Sequence, residues 1–364
     1  MRNKLPYLDF INQELQLPKT DATAPLVIDL FAGCGGLALG FKAAGFRTVG
    51  YEKLADACAT YRHNLLSSCH QLTLVRQPNL IDAADVIIGG PPCQPFSVGG
   101  HQLGLKDSRD GFPIFIDAVN RYRPKLALFE NVRGMLFRNK AYFEEIVTAL
   151  RELGYIVEWD ILNAAHYGVP QRRERLFCIA HRGRWTWPKK THLNSPYTAG
   201  EALGELAFIA PPNSKFLTPS MDEYVKKYEI ASKCIKPRDL HLDAPSRTVT
   251  CRNLSAPTGD MLRIKLPDGR RRRLTVREGA RLQSFPDWFE FKGNEESQCN
   301  QIGNAVPPIL AKALACSVKA YLDSSEQPAS EESHLLSQPI QLSLLSLIET
   351  HDYLVTNPHQ FRKA

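Results

Sequence analysis

Four short, mostly apolar runs in the first half of the chain read as strands: residues 25–33 (PLVIDLFAG), apolar almost throughout, 46–52 (FRTVGYE), 84–90 (ADVIIGG) and 125–132 (KLALFENV). A strand wet on one face alternates apolar and polar residues, whereas one covered on both faces does not. Segments with helical spacing separate the runs. In GLALGFKAAGF, Leu37, Phe41 and Ala44 fall on one helical face. Strands of this kind alternating with helices predict an α/β domain built on an open, doubly wound, mostly parallel sheet.

The pattern degrades after about residue 182, where RWTWPKKTHLNSPYTAG and APPNSKFLTPS are rich in Pro, Ser, Thr and Asn. LRIKLPDGRRRRL reads as a hairpin turning at Pro-Asp-Gly. TVREGARLQSFP starts a helix, with Thr275 and Glu278 spaced as a capping box. CNQIGNAVPPILAKALACSVKAYL ends in an amphipathic helix, and SSEQPASEESH reads as a linker before a last apolar segment. These shifts predict an N-terminal extension (1–24), a catalytic and cofactor-binding domain (25–182 plus 301–323), a smaller loop-rich domain (183–300) and a tail (324–364).

Charge adds a partner class. The net charge is +7, and Lys and Arg are in excess between about Arg184 and Arg281, including the run 270–273. A local basic excess suits a phosphate-rich partner. The nine cysteines are scattered with no C-x-x-C pair. That argues against a disulfide framework and structural zinc, and for a reducing cytoplasm; no metal is expected. No run approaches the roughly 18 apolar residues that span a bilayer. The first twenty residues lack the apolar core of a signal peptide.

In an open α/β sheet ligands sit at the carboxyl ends of the strands. The first strand ends in DLFAGCGG, where Gly33, Gly35 and Gly36 allow a tight turn and close approach of a ligand. The second ends in Glu52, an acid placed to accept ribose hydroxyls. Together they predict a nucleoside-containing cofactor, without choosing between a nicotinamide dinucleotide and S-adenosylmethionine. The third strand delivers Cys93 among Pro91, Pro92 and Pro95, with Gly99, Gly100 and Gly104 following as hinges for a lid. The fourth ends in Glu130. A thiol and a carboxylate converging on one cleft is a catalytic arrangement. In YGVPQRRERLF, Gln171, Arg173 and Arg175 alternate, so one strand would aim all three to one face.

These residues resemble the cytosine-C5 DNA methyltransferases from about Leu26 to Leu322. The motifs run in family order: DLFAGCGG, Glu52, GGPPCQPFS, FENVRGM, YGVPQRRERLF, RRRLTVREGARLQSFPDWF and QIGNAVPP. The resemblance implies a Rossmann-like methyltransferase fold, and a target recognition region within the basic stretch. It further implies that Cys93 adds to C6 of a cytosine flipped out of double-stranded DNA. Glu130 would bind the N3 and N4 edge of the base, with Arg173 orienting it and Arg175 in support. Phe31, Gly33, Cys34, Gly36, Glu52, Pro92, Asn304 and Val306 would hold S-adenosylmethionine. Gln171, Ser97, Arg247 and Arg252 would contact the substrate, and 270–273 the DNA.

Three positions depart from the family pattern. Lys53 follows the ribose acid where an aromatic is common, no acid precedes Cys93 by about twenty residues, and Pro113 changes the start of the helix after the lid. By resemblance the enzyme acts as a monomer in the cytoplasm, without membrane, as the modification half of a restriction–modification pair. Its cognate endonuclease would share the site without a stable complex. A thiol-dependent nicotinamide oxidoreductase leaves QRRER, GNAVPP and the basic stretch unexplained. A non-catalytic DNA-binding regulator would not need Cys93 and Glu130. A transfer-RNA methyltransferase would carry a Cys-Phe-Thr signature, which is missing between 183 and 270.

Overall fold

The computed structural model describes residues 4–80, 83–92, 110–212, 214–231, 239–255 and 261–325. Cys93, Ser97, the hinge glycines of the expected lid and the tail from 326 onward lie outside the described residues. In chain order the elements begin α1 (Tyr7–Glu14), β1 (Leu26–Leu30), α2 (Gly36–Ala43), β2 (Arg47–Glu52), α3 (Ala55–Leu65), β3 (Cys69–Gln71), β4 (Val86–Gly89) and α4 (Phe112–Tyr122). Next come β5 (Leu126–Val132), α5 (Lys140–Glu152), β6 (Ile156–Asn163), β7 (Gln171–Arg172), β8 (Glu174–His181), α6 (Ala199–Leu203) and α7 (Pro219–Ala231). The chain closes with β9 (Ser246–Arg247), α8 (Cys251–Ser255), β10 (Arg263–Lys265), β11 (Arg271–Arg273), α9 (Val276–Leu282), α10 (Glu295–Asn304) and α11 (Pro308–Ser325).

Seven strands form one sheet in the order β3-β2-β1-β4-β5-β8-β6. All neighbours are parallel except β8, which runs antiparallel to both β5 and β6. The four apolar runs of the sequence are β1, β2, β4 and β5. Their continuity has a simple cause, because successive residues enter different cores. Val86 and Ile88 of β4, with Leu126 and Leu128 of β5, pack into a core that includes Leu37 and Phe41 of α2 and Leu310 and Leu314 of α11. Ile87, Ala127 and Phe129 point the other way, into a core with Phe115 and Val119 of α4 and Ile146 and Leu150 of α5.

β1 lies between β2 and β4, so the chain leaves it in one direction and later returns on its other side. This reversal opens a crevice outside the carboxyl ends of β1 and β4. Pro113 falls in the first turn of α4, where proline is tolerated because the missing N–H has no helical partner.

The basic stretch holds the expected hairpin, with Arg263 opposite Arg273 and Lys265 opposite Arg271. The capping box of α9 forms as read: Thr275 Oγ1 accepts from Glu278 N, and Glu278 Oε2 accepts from Thr275 N at 2.7 Å. Thr198 and Glu201 make a second capping box on α6. The N-terminal segment is tied in as well. Ile11 and Leu15 are buried, and Tyr7 Oη donates to Arg281 O at 2.8 Å. Among the described residues no single helix is long and apolar enough to cross a membrane, and no group of three or more His, Cys, Asp or Glu could hold a metal ion.

Candidate active site

A cavity of about 1150 Å³ opens at the carboxyl ends of β1, β2, β4 and β5. Its walls include Phe31, Gly33, Cys34, Glu52, Pro92, Glu130, Arg173, Arg175, Asn304 and Val306. Residues from six separate sequence motifs thus meet in one place. Of the expected cofactor residues, only Gly36 is not in the wall. It packs behind it, where a Cβ would lie 2.5 Å from Val306 O.

The turn after β1 is tight. Phe31 (φ 58°), Gly33 (φ 53°) and Gly35 (φ 90°) all adopt left-handed backbone, a conformation that is unfavourable for a phenylalanine and is held here by its surroundings. Glu52 fastens this turn to the end of β2. Its Oε2 accepts from Gly33 N at 2.9 Å and its Oε1 from Leu54 N at 2.8 Å. Asp29, also in the wall, is 1% exposed. Burial, and then the neighbouring charge of Glu52, raise its carboxyl well above the usual range. Burial pushes the Cys34 thiol up to about 12, so Cys34 is not a thiolate near neutral pH.

At the other end of the cavity, the parallel register sets Gly89 beside Phe129, which brings the Gly90–Pro92 segment next to Glu130. Asn131 Nδ2 donates to Pro91 O at 3.0 Å and holds that segment in place. Pro92, the last described residue before Cys93, lines the cavity. Glu130 Oε1 pairs with Arg175 Nε at 3.0 Å, and both side chains are largely enclosed. Burial raises the Glu130 carboxyl above the usual glutamate range, against the lowering pull of Arg175 and then of Arg173. A carboxyl that holds its proton more readily can donate to a ring nitrogen.

The alternation expected of Gln171, Arg173 and Arg175 is corrected by the structure. Arg173 falls between β7 and β8, so the three do not share one strand face. Arg175 grips Glu130, the part expected of Arg173. Arg173 itself is buried, donating to Val249 O at 2.8 Å and Gly303 O at 3.1 Å. Burial and the nearby Arg175 lower its pKa; a guanidinium nonetheless stays charged at neutral pH. It therefore clamps the segments ahead of α8 and in α10 to the sheet.

Gln171 is fully buried and does not line the cavity. Its Nε2 donates to Leu282 O and Gln283 Oε1, and its Oε1 accepts from Val249 N. Gln283, which the sequence reading did not single out, continues this ladder to Ile302 O and Ala305 O. Its signal was only its place within RLQSFP. These bonds set α10, and therefore Asn304 and Val306, against the cavity. Gly303 permits the approach: a Cβ there would lie 2.0 Å from Cys251 N.

The basic run 270–273 is also corrected. Arg272 is fully buried in a bidentate pair with Glu278, at 2.6 and 2.9 Å, and donates to Leu206 O and Ile209 O. Arg271 pairs with Asp222 and Asp239, and Arg273 donates to Leu254 O and Ser255 O. Only Arg270, paired with Asp268, stands in solvent. Arg247 is partly buried and donates to Met261 O, while Arg252 is exposed.

Residues 26–320 match the family of C-5 cytosine-specific DNA methylases. The chain is 59% identical over 344 residues to the Type II methyltransferase M.AplI of Arthrospira platensis, covering 94% of this chain and 99% of that one. It is 36% identical to the Type II methyltransferase M1.HphI of Haemophilus parahaemolyticus, covering 79% of this chain and 85% of the other. Two solved structures share the fold. One is the Entamoeba histolytica methyltransferase EhMeth (TM-score 0.64, 17% identity, 84% of this chain and 100% of that one). The other is a Spodoptera frugiperda DNMT2 mutant (TM-score 0.62, 20% identity, 80% and 98%). With the strand-end cavity, its Glu130–Arg175 pair and a match spanning nearly all of the sheet and its closing helices, the chain belongs to the C-5 cytosine-specific DNA methylase family.

Proposed function

We propose that the protein methylates C5 of one cytosine within a specific double-stranded DNA sequence, acting as a monomer. The observation that carries this reading is the Glu130–Arg175 pair in the same cavity as Glu52, with Pro92 leading the chain from that wall into Cys93. Cytosine C5 is a poor nucleophile. Addition of the Cys93 thiolate to C6 makes the ring nucleophilic at C5, and Glu130 donating to N3 stabilises the charge that builds there. Cys93 leaves by elimination once the C5 proton is lost. Cys34, the described cysteine in the wall, suits the role of nucleophile less: it is buried, its Sγ donates to Gln301 O, and burial raises its thiol. The atoms attacked are hidden in a stacked duplex, so the base must enter the cavity extrahelically.

The cavity fits S-adenosylmethionine. Glu52 faces it from the end of β2, and Leu54 and Leu72, which are 57% and 39% exposed, offer apolar surface for a purine. Asp29 Oδ2 is buried with no hydrogen-bond partner among the described residues, and so is open to a polar group of a bound ligand. When bound, the cofactor supplies an electrophilic methyl group. Phe31, Gly33, Cys34, Glu52, Pro92, Asn304 and Val306 hold it, with Gly36 supporting the wall from behind. Ser97, Arg247 and Arg252 belong to the substrate side. The division into a catalytic domain (25–182 plus 301–323) and a recognition domain (183–300) is part of this reading. So is a role in protecting DNA from a cognate endonuclease, which the Type II names of both relatives support.

Sequencing plasmid DNA for 5-methylcytosine after expression tests reaction, substrate and site together. Cys93→Ser should lower transfer by about 10⁴-fold or more while S-adenosylhomocysteine still binds. Full activity in that variant overturns the mechanism.

A further inference from the structure

The rim of the cavity carries a feature that the proposed chemistry does not use. β5 ends in Val132, which lines the cavity and is 53% exposed. The following turn, Arg133–Leu136, brings Phe137 beneath the Arg133 guanidinium, with 5.2 Å from Cζ to the ring centroid. Phe137 is 61% exposed. Arg138 is exposed next to it, and so is Arg172, two residues before Glu174. Single exposed apolar side chains are ordinary. Here Val132 lines the cavity and Phe137 follows it across one turn, with Arg133 between them and Arg138 after.

Arg133 is held by Glu174 at 2.7 Å, with the two side chains 54% and 42% exposed. A pair this wet contributes little and exchanges readily for a stronger anion. A DNA phosphate is such an anion, and it accepts the same guanidinium fork.

We infer that Val132, Arg133, Phe137 and Arg138 form a docking strip for the duplex beside the extruded cytosine. Phe137 and Val132 pack against the sugar faces. Arg133 leaves Glu174 for a phosphate, and Arg138 takes a second phosphate. This assignment rests on the DNA-methylating function proposed above. Its grounds are charge complementarity and the strip's continuity with the cavity.

The test uses the full chain and a short duplex carrying the methylated sequence, with affinity measured across a salt series. Arg133→Ala should reduce the slope of log K against log salt by about one and weaken binding at low salt about 10-fold, since each phosphate contact contributes about one unit. Phe137→Ala should weaken binding by about 3- to 10-fold with the slope unchanged, because the lost contact is apolar, and Phe137→Leu should restore part of it. Glu174→Gln should strengthen binding about 2- to 5-fold, a gain that Arg133→Ala abolishes. Thermal unfolding and S-adenosylhomocysteine binding verify folding, and Arg133→Gln substitutes for any variant that fails them. Unchanged affinities and slopes, with a wild-type protein that methylates the duplex, overturn the docking strip. A wild-type protein that transfers no methyl group to DNA overturns the underlying function instead.

Discussion

The strand-end cavity and the basic stretch 183–300 put the same kind of residue to different uses. At the sheet, the charged side chains picked out by motif stand in the wall of one cavity: Glu52, Glu130, Arg173 and Arg175. In the basic stretch, the most conspicuous charges turn inward. Arg272 and Arg263 are fully buried, Arg272 against Glu278 and Arg263 against Glu229 and Asp239. The sheet obtains its stability from apolar strands packed on both faces, which leaves the polar residues at its ends free for chemistry. The loop-rich stretch buries apolar residues too, among them Leu262, Ile264, Leu282 and Phe285, but sets buried arginines among them. It holds together through arginines that satisfy carbonyls and carboxylates. A cluster of cations in a sequence is therefore a count of charges, and only their partners decide whether they face a ligand.

The largest expected effect tests the buried charges. Arg272→Ala should destabilise the fold by about 3–5 kcal/mol, because it leaves Glu278 buried and unpaired. Arg270→Ala, one residue before in an exposed pair, should stay within about 0.5 kcal/mol. Denaturant titration of the two variants measures the contrast. Equal effects would break the distinction between the structural and solvent-facing members of the run.

The two arginines of the cavity should separate next. Arg173→Ala removes a buried cation that clamps two carbonyls, and should cost about 2–3 kcal/mol of stability. Arg175→Ala should change stability less and lower kcat by about 10- to 100-fold, through Glu130. Arg175→Lys, lacking the planar fork, should recover only part of that activity. Unfolding curves together with single-turnover rates check the split.

The smallest effect concerns pH. Burial raises the folded-state pKa of Glu130 above its unfolded value. The folded protein then binds this proton more tightly, so the group's contribution to stability is greatest at low pH. It declines as pH rises through the unfolded and then the folded pKa. Glu130→Gln should remove this slope, seen as a flatter profile of unfolding free energy above about pH 4. A carboxyl resonance of Glu130 titrating below the ordinary glutamate range would contradict the shift.

The sequence determined a great deal. Short apolar strand runs alternating with helical segments specify parallel strands covered on both faces. Their order specifies which ends carry Phe31, Glu52, Pro92 and Glu130. The Thr275–Glu278 spacing specifies the start of a helix. Each of these is a local pattern, and local patterns are written in adjacent residues. The tertiary structure alone decided three things. It gave the Glu130 partnership to Arg175 and the clamp to Arg173. It turned Gln171 inward to join Gln283. It set α10, and with it Asn304 and Val306, against the cavity through Gly303 lying against Cys251. All three depend on groups more than forty residues apart in sequence, and no period in the chain encodes which distant carbonyl or carboxylate a given side chain will meet.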